Sequence, residues 1–91
     1  MVSKKVVINN PTGLHLRPAG NLCKEAVKYQ SRIVFNYRNS TTNAKSVLSV
    51  LAACVKQGEE IELVCEGEDE KEALENIVKI IEEGLGEKTP E

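Results

Sequence analysis

The segment Thr12-Gly13-Leu14-His15-Leu16-Arg17-Pro18-Ala19 is the one whose residue types and spacing could do chemistry. It holds the only histidine of the chain, an arginine two residues on, and a proline suited to the first position of a helix. A helix start offers unpaired backbone N–H groups and about half a positive charge, which together attract anions. An imidazole placed there can take a phosphoryl group, its oxygens held by the N–H groups of Leu16 and Arg17. Pro18 has no N–H to offer, so those two are the natural donors. The forked Arg17 cation can reach the same oxygens. Positive surroundings also favour the neutral, nucleophilic imidazole. The plainer alternative is a polar histidine that does no more than precede a helix. A Cys–His pair with Cys23 is poor, because Cys23 falls on the buried face two turns along. Spacing therefore gives an anion-binding histidine and leaves the phosphoryl donor open.

The elements that must position this histidine follow from periodicity. Lys4 to Ile8 is short and β-branched, a strand, and Asn9-Asn10-Pro11-Thr12-Gly13 clusters the turn formers that end it. From Pro18 the period becomes helical, with Ala19, Leu22, Cys23, Ala26 and Val27 on the inner face. Ile33, Phe35 and Tyr37 alternate with Arg32, Val34 and Asn36, as in a half-buried strand. Arg38-Asn39 is a hairpin turn, with Asn39 the residue suited to positive φ, leading to a short strand from Thr41 to Ala44. Ser46 is a good N-cap for an apolar helix from Val47 to Ala53, which Lys56-Gln57-Gly58 breaks. Ile61, Leu63 and Cys65 mark the inner face of a last strand. Asp69 with Glu72 is a capping-box arrangement, and Leu74, Ile77, Val78, Ile81 and Leu85 form the stripe of a final helix stopped by Gly84 or Gly86. Acids cluster at its positive end, with Lys71–Glu75 and Glu75–Lys79 as i, i+4 pairs. The order β-α-β-β-α-β-α with one greasy sheet face predicts an α+β open-faced sandwich.

Composition narrows the classes. At 91 residues the chain holds one domain, 1–91, with 87–91 expected as a tail lacking fixed structure. No stretch approaches the ~20 apolar residues of a membrane span, and the N-terminus lacks the apolar run of a signal peptide. Cys23, Cys54 and Cys65 are an odd set without Cys-x-x-Cys spacing; all three are expected as reduced core residues of a cytoplasmic protein. One histidine and scattered cysteines make a poor metal set, and no cofactor is implied. Phe35, Tyr29 and Tyr37 are too few aromatics for a nucleic-acid stacking platform. The net charge of −2 hides a split. Residues 1–56 carry +8, residues 57–91 carry −10, and His15, Arg17 and Ser46 all lie in the basic part. An acidic protein surface is therefore the expected docking partner.

Gly13-Leu14-His15-Leu16-Arg17-Pro18-Ala19 closely resembles the active-site signature of HPr, the histidine-containing phosphocarrier family of the bacterial sugar phosphotransferase system. Asn43-Ala44-Lys45-Ser46-Val47-Leu48-Ser49-Val50-Leu51 resembles the regulatory serine segment of the same family, in register with the first motif. Gln57-Gly58 and Glu83-Gly84-Leu85-Gly86-Glu87 fit as well. The resemblance implies a four-stranded antiparallel sheet covered on one face by three helices. It implies that His15 carries phosphate from enzyme I to the IIA units of sugar permeases, that Arg17 stabilises it, and that the protein is a relay rather than a free-standing enzyme. It further implies that Ser46 is a target of HPr kinase/phosphorylase, with catabolite control protein A as partner. An alternative within the family is a mainly regulatory paralogue that co-represses transcription through phospho-Ser46. A histidine-dependent hydrolase lacks partner residues.

A phosphate on an N-cap faces the positive helix end, so its effect is expected on docking rather than folding. Val47 to Val55 is more apolar than one buried face requires, which marks Val47, Leu48 and Leu51 as a docking patch of a monomer, rimmed by Lys24, Lys28 and Lys45. Departures from the family pattern are Leu16, Gly20, Asn39, Leu48, Ser49 and Leu51. They bear on which partners are accepted, not on His15, Arg17 or Ser46 themselves.

Overall fold

The computed structural model describes residues 1–87. Its elements are β1 (Val2–Val7), α1 (Leu16–Ala26), β2 (Arg32–Tyr37), β3 (Ser40–Asn43), α2 (Val47–Ala53), β4 (Glu60–Glu66) and α3 (Glu70–Glu82). The strands form one antiparallel sheet in the order β1-β4-β2-β3. This is the expected four-stranded open-faced sandwich with three helices. Period-two alternation places one face of the sheet in the core: Val6 pairs with Ile61, and Leu63 stands between Lys4 and Phe35. Cys65 is flanked by Val2 and Ile33 in the same manner. Phe35, Leu63, Ile33 and Ile61 are buried under Leu22 of α1, Val50 of α2, and Ile77 and Ile81 of α3. Val34 points to the open face yet is also covered, because it sits mid-sheet between Val64 and Asn43.

Several boundaries differ from the periodicity reading, each for a local reason. β1 begins at Val2 and closes at Val7, since Val2 still pairs with Cys65. β3 occupies Ser40–Asn43, because Ser40 already pairs with Tyr37 across a two-residue turn. In that turn Arg38, not Asn39, takes the positive φ of 52°. Its guanidinium lies over the Tyr37 ring and pairs with Glu59 at 3.0 Å, contacts that offset the strained backbone. Helix α1 starts at Leu16, two residues before Pro18, and ends before Val27, whose side chain is exposed rather than part of the inner stripe.

At α3 the capping box is not formed. Asp69 is the N-cap residue without a side-chain cap bond. Its carboxylate instead accepts from the N–H groups of Gln30 and Ser31, each at 2.9 Å, and from the Ser31 hydroxyl. Three donors from the α1–β2 connection outcompete the helix end. Leu74 is half-buried, while Ala73, Ile77, Val78, Ile81 and Leu85 are buried. Cys23 and Cys65 are buried, but Cys54 is exposed and holds the left-handed C-cap of α2 at φ 56°. An αL terminus turns its side chain out of the helix stripe, which the apolar run around it concealed. Glu87, assigned from sequence to the tail 87–91, is bonded into the fold through Asn10 and Thr12. The rest of that tail, residues 88–91, lies outside the described residues.

Candidate functional site

The loop between β1 and α1 is tied at both ends. Ile8 donates to the Glu59 carbonyl at 2.9 Å and accepts from Gly58 at 2.7 Å, which carries the sheet pairing one residue past β1. At the other end Leu14 donates to the Val55 carbonyl at 2.9 Å and buries its side chain in the core. Between them Gly13 donates to Asn10 at 3.1 Å and takes φ 65°. A Cβ at Gly13 would meet the Val55 oxygen at 2.5 Å and the Lys56 Cα at 2.8 Å. The glycine is thus required by both backbone twist and close approach.

His15 follows as the N-cap residue of α1, in extended backbone at φ −78° and ψ −176°. Its carbonyl accepts the first helical bond, from Ala19 at 2.8 Å, while its imidazole is exposed and makes no cap bond. Leu16, Arg17 and Pro18 are the first three helical residues. The N–H groups of Leu16 and Arg17 have no carbonyl one turn back, and Pro18 contributes no donor but buries its ring. The helix start therefore presents the unpaired N–H groups of Leu16 and Arg17 directly after the exposed His15, with the Arg17 side chain also exposed. Pro18 performs this from the third helical position rather than the first, and α1 has no acid in its first turn to blunt the positive end.

Ser46 caps α2 as expected: its Oγ accepts from the Ser49 N–H at 3.3 Å, and its carbonyl accepts from Val50 at 3.0 Å. Leu48 is 80% exposed, whereas Val47 and Leu51 are half-buried against the core. Leu16 is 64% exposed, and it places a second large apolar side chain at the histidine itself. Helices α1 and α2 pack on one another in opposite directions: Leu14, before α1, bonds to Val55, after α2, while Lys45, before α2, bonds to Tyr29, after α1, so His15 and Ser46 stand at opposite ends of the helix pair. The three lysines differ. Lys24 is exposed and makes no ion pair among the described residues. Lys28 pairs with Glu25 at 3.0 Å. Lys45 is half-buried, its Nζ donating to the Tyr29 carbonyl at 2.7 Å, so it closes the end of α1 rather than standing on a free rim.

What sequence reasoning missed is the contact that joins Asn10 and Thr12 to Glu87. The Glu87 Oε1 accepts from Asn10 Nδ2 at 2.9 Å, from Thr12 Oγ1 at 2.7 Å and from the Thr12 N–H at 3.3 Å. Hydrogen bonds from Asn10 and Thr12 hold the Glu87 carboxyl below its usual range, with a smaller pull from Arg17. No local period reports a pairing between opposite ends of the chain. The one sequence signal was the Gly84-Leu85-Gly86 stop that precedes Glu87. No group of three or more His, Cys, Asp or Glu that could hold a metal occurs among the described residues. No helix among them is long and apolar enough to cross a membrane.

This fold and site define a class: a small open-faced α+β protein that presents an exposed imidazole at a helix N-cap, beside backbone N–H groups without intrahelical acceptors. A family model described as the PTS HPr component phosphorylation site matches residues 2–83. The chain is 42% identical over 83 residues to the phosphocarrier protein HPr of Buchnera aphidicola, covering 91% of this chain and 98% of that one. It is 36% identical over 83 residues to the HPr-like protein Crh of Bacillus subtilis, again covering 91% and 98%. It also matches 17% of the length of the multiphosphoryl transfer protein of Haemophilus influenzae, at 41% identity over 83 residues and 88% of this chain. Among solved structures, HPr-C-His from Thermoanaerobacter tengcongensis superposes with a TM-score of 0.94 at 38% identity, covering 98% of this chain and all of that one. The chain belongs to the HPr family of the phosphotransferase system.

Proposed function

We propose that this protein is a cytoplasmic, monomeric phosphoryl carrier of sugar uptake, with His15 as the acceptor. The Nδ1 lone pair of neutral His15 attacks the phosphorus held by phospho-enzyme I; the new N–P bond forms as the bond to the donor breaks. The phosphoryl group then leaves for an IIA unit in the same sense, so the carrier returns unchanged. Leu16 and Arg17 N–H groups and the Arg17 guanidinium receive the phosphoryl oxygens. The observation that carries this reading is the His15 imidazole, exposed and unbonded at an extended helix N-cap whose next two N–H groups have no intrahelical acceptor.

Leu48, with Val47 and Leu51 beneath it, is the apolar docking contact, and Lys24 and Lys28 meet acidic groups at its rim. Lys45 supports that surface from within by holding Tyr29. Ser46 is the regulatory site: ATP-dependent phosphorylation there by HPr kinase/phosphorylase places a dianion at the start of α2, two residues before the exposed Leu48. It repels enzyme I and recruits catabolite control protein A. The deciding experiment is incubation with enzyme I and labelled phosphoenolpyruvate. An acid-labile label, lost in His15→Ala, supports the carrier; no label with an enzyme I competent on other HPr proteins refutes it. The 36% identity to Crh favours a second reading, a mainly regulatory protein that co-represses transcription through phospho-Ser46. That reading expects ready kinase labelling of Ser46 together with little or no labelling of His15 by enzyme I.

A further inference from the structure

The loop that delivers His15 has well-anchored ends and a middle, Asn10-Pro11-Thr12, with no sheet or helix partner. We infer that Glu87 is a positioning residue for phosphoryl transfer: its carboxylate, brought over by a built strap after α3, holds that middle and so sets the approach to His15. The inference rests on the carrier reading of His15.

Three donors converge on one Glu87 oxygen, two of them from Thr12 and one from Asn10. Asn10 is completely buried, and its Nδ2 also donates to the Gly13 carbonyl at 2.7 Å. A hydrogen-bonded chain therefore runs from Glu87 through Asn10 to Gly13, two residues before the histidine. The strap is as specific as the loop. Gly84, Leu85 and Gly86 all take positive φ, at 95°, 51° and 85°. Leu85 is buried and its carbonyl accepts from Asn21 Nδ2 at 2.8 Å, which fastens the strap to α1 itself. A Cβ on Gly86 would lie 2.5 Å from that same Asn21 nitrogen. A chain free to wander would need none of these conformations. Glu87 thus crosses from the acidic part of the sequence to serve the basic one, and Arg17 is close enough to feel its charge.

Because all three bonds fall on Oε1, Glu87→Gln can keep every acceptor contact while removing the charge, and Glu87→Ala removes both. The full chain and both variants are compared as substrates of phospho-enzyme I. Glu87→Ala is expected to lower kcat about tenfold, the size of effect that slight misplacement of a reacting group produces, with KM for the carrier nearly unchanged. Glu87→Gln is expected to restore kcat to within about twofold. Asp69→Ala, which breaks a three-donor carboxylate elsewhere in the fold, is the control for lost stability and should leave kcat unchanged. Without any enzyme, the amide resonances of Gly13, Leu14 and His15 should shift in Glu87→Ala and hold in Glu87→Gln. Equal kcat in wild type and Glu87→Ala, a Gln variant as slow as Ala, or resonance shifts confined to Thr12 would each overturn the inference. If enzyme I labels no variant and no wild type, the carrier reading fails, and the resonances still decide whether Glu87 positions the loop.

Discussion

The N–H of Leu14 donates to the carbonyl of Val55 at 2.9 Å, joining the residue before His15 to the segment that leaves α2. Through that bond the loop that carries His15 and the exit of the helix capped by Ser46 share one backbone anchor. Gly13 makes the approach possible, since no side chain fits between it and the Val55 oxygen.

Gly13→Ala should therefore cost about 2 kcal/mol or more, combining the left-handed backbone penalty with a clash against main chain that cannot swing aside. Urea unfolding measures the loss, and the His15 phosphorylation rate should fall with it. A variant within about 0.5 kcal/mol of wild type would show that the loop detaches from Val55 without consequence.

Substitutions at Ser46 separate its capping bond from the regulatory role proposed for it. Its bond to Ser49 is long at 3.3 Å, so Ser46→Ala should cost about 0.5 kcal/mol, the lower end of the N-cap range. Ser46→Asp keeps an acceptor facing the helix start and should match wild type in stability, while it slows phosphorylation by enzyme I. Equal rates for Ser46→Asp and wild type would remove electrostatic docking control as the role of this position.

Where periodicity governed, the sequence could be read directly. Ile33, Phe35, Tyr37, Ile61, Leu63 and Cys65 are buried as their alternation requires, and Ala19, Leu22, Cys23 and Ala26 line α1. His15 and Ser46 were legible because a helix cap is a local event. Asp69 was misread because its donors, Gln30 and Ser31, come from a distant connection that competes with the cap. The bonds to Glu87 went unseen for the same reason, their donors lying at the other end of the chain. Arg38 took the left-handed turn position from Asn39 because Tyr37 and Glu59 hold its side chain. Such long-range hydrogen bonds leave no mark on local pattern.

Acid should loosen the fold through these same carboxylates. Asp69, held by Ser31 and Gln30, and Glu59, held by Tyr37 and the Lys56 N–H, both titrate below their usual range. A carboxyl depressed in the fold contributes stability that is complete above its unfolded value and is lost as pH falls through the folded one. Tm should accordingly be flat above about pH 5 and fall steadily below pH 4.5, the ordinary Glu value. Asp69→Asn should flatten that decline in addition to lowering Tm at neutral pH. An unchanged acid slope in Asp69→Asn would show that this carboxylate is not part of the acid response.

Cys54 should behave unlike its two counterparts. Cys23 and Cys65 are buried, and burial pushes both thiols up, Cys65 to about 11 with help from Glu70 and Asp69. An alkylating reagent under native conditions should therefore modify Cys54 alone, and peptide mapping would locate the label. Cys54 also carries the left-handed φ of 56° that ends α2, a position where glycine has no Cβ to crowd the backbone. Its side chain is exposed, and its Sγ donates a long hydrogen bond of 3.6 Å to the Leu51 carbonyl, so little burial is lost on removing it. Cys54→Gly should gain about 0.5–1 kcal/mol in urea unfolding, the relieved strain exceeding the added freedom of the unfolded chain. A loss of stability in that variant would mean that the thiol contact at the helix end outweighs the strained backbone.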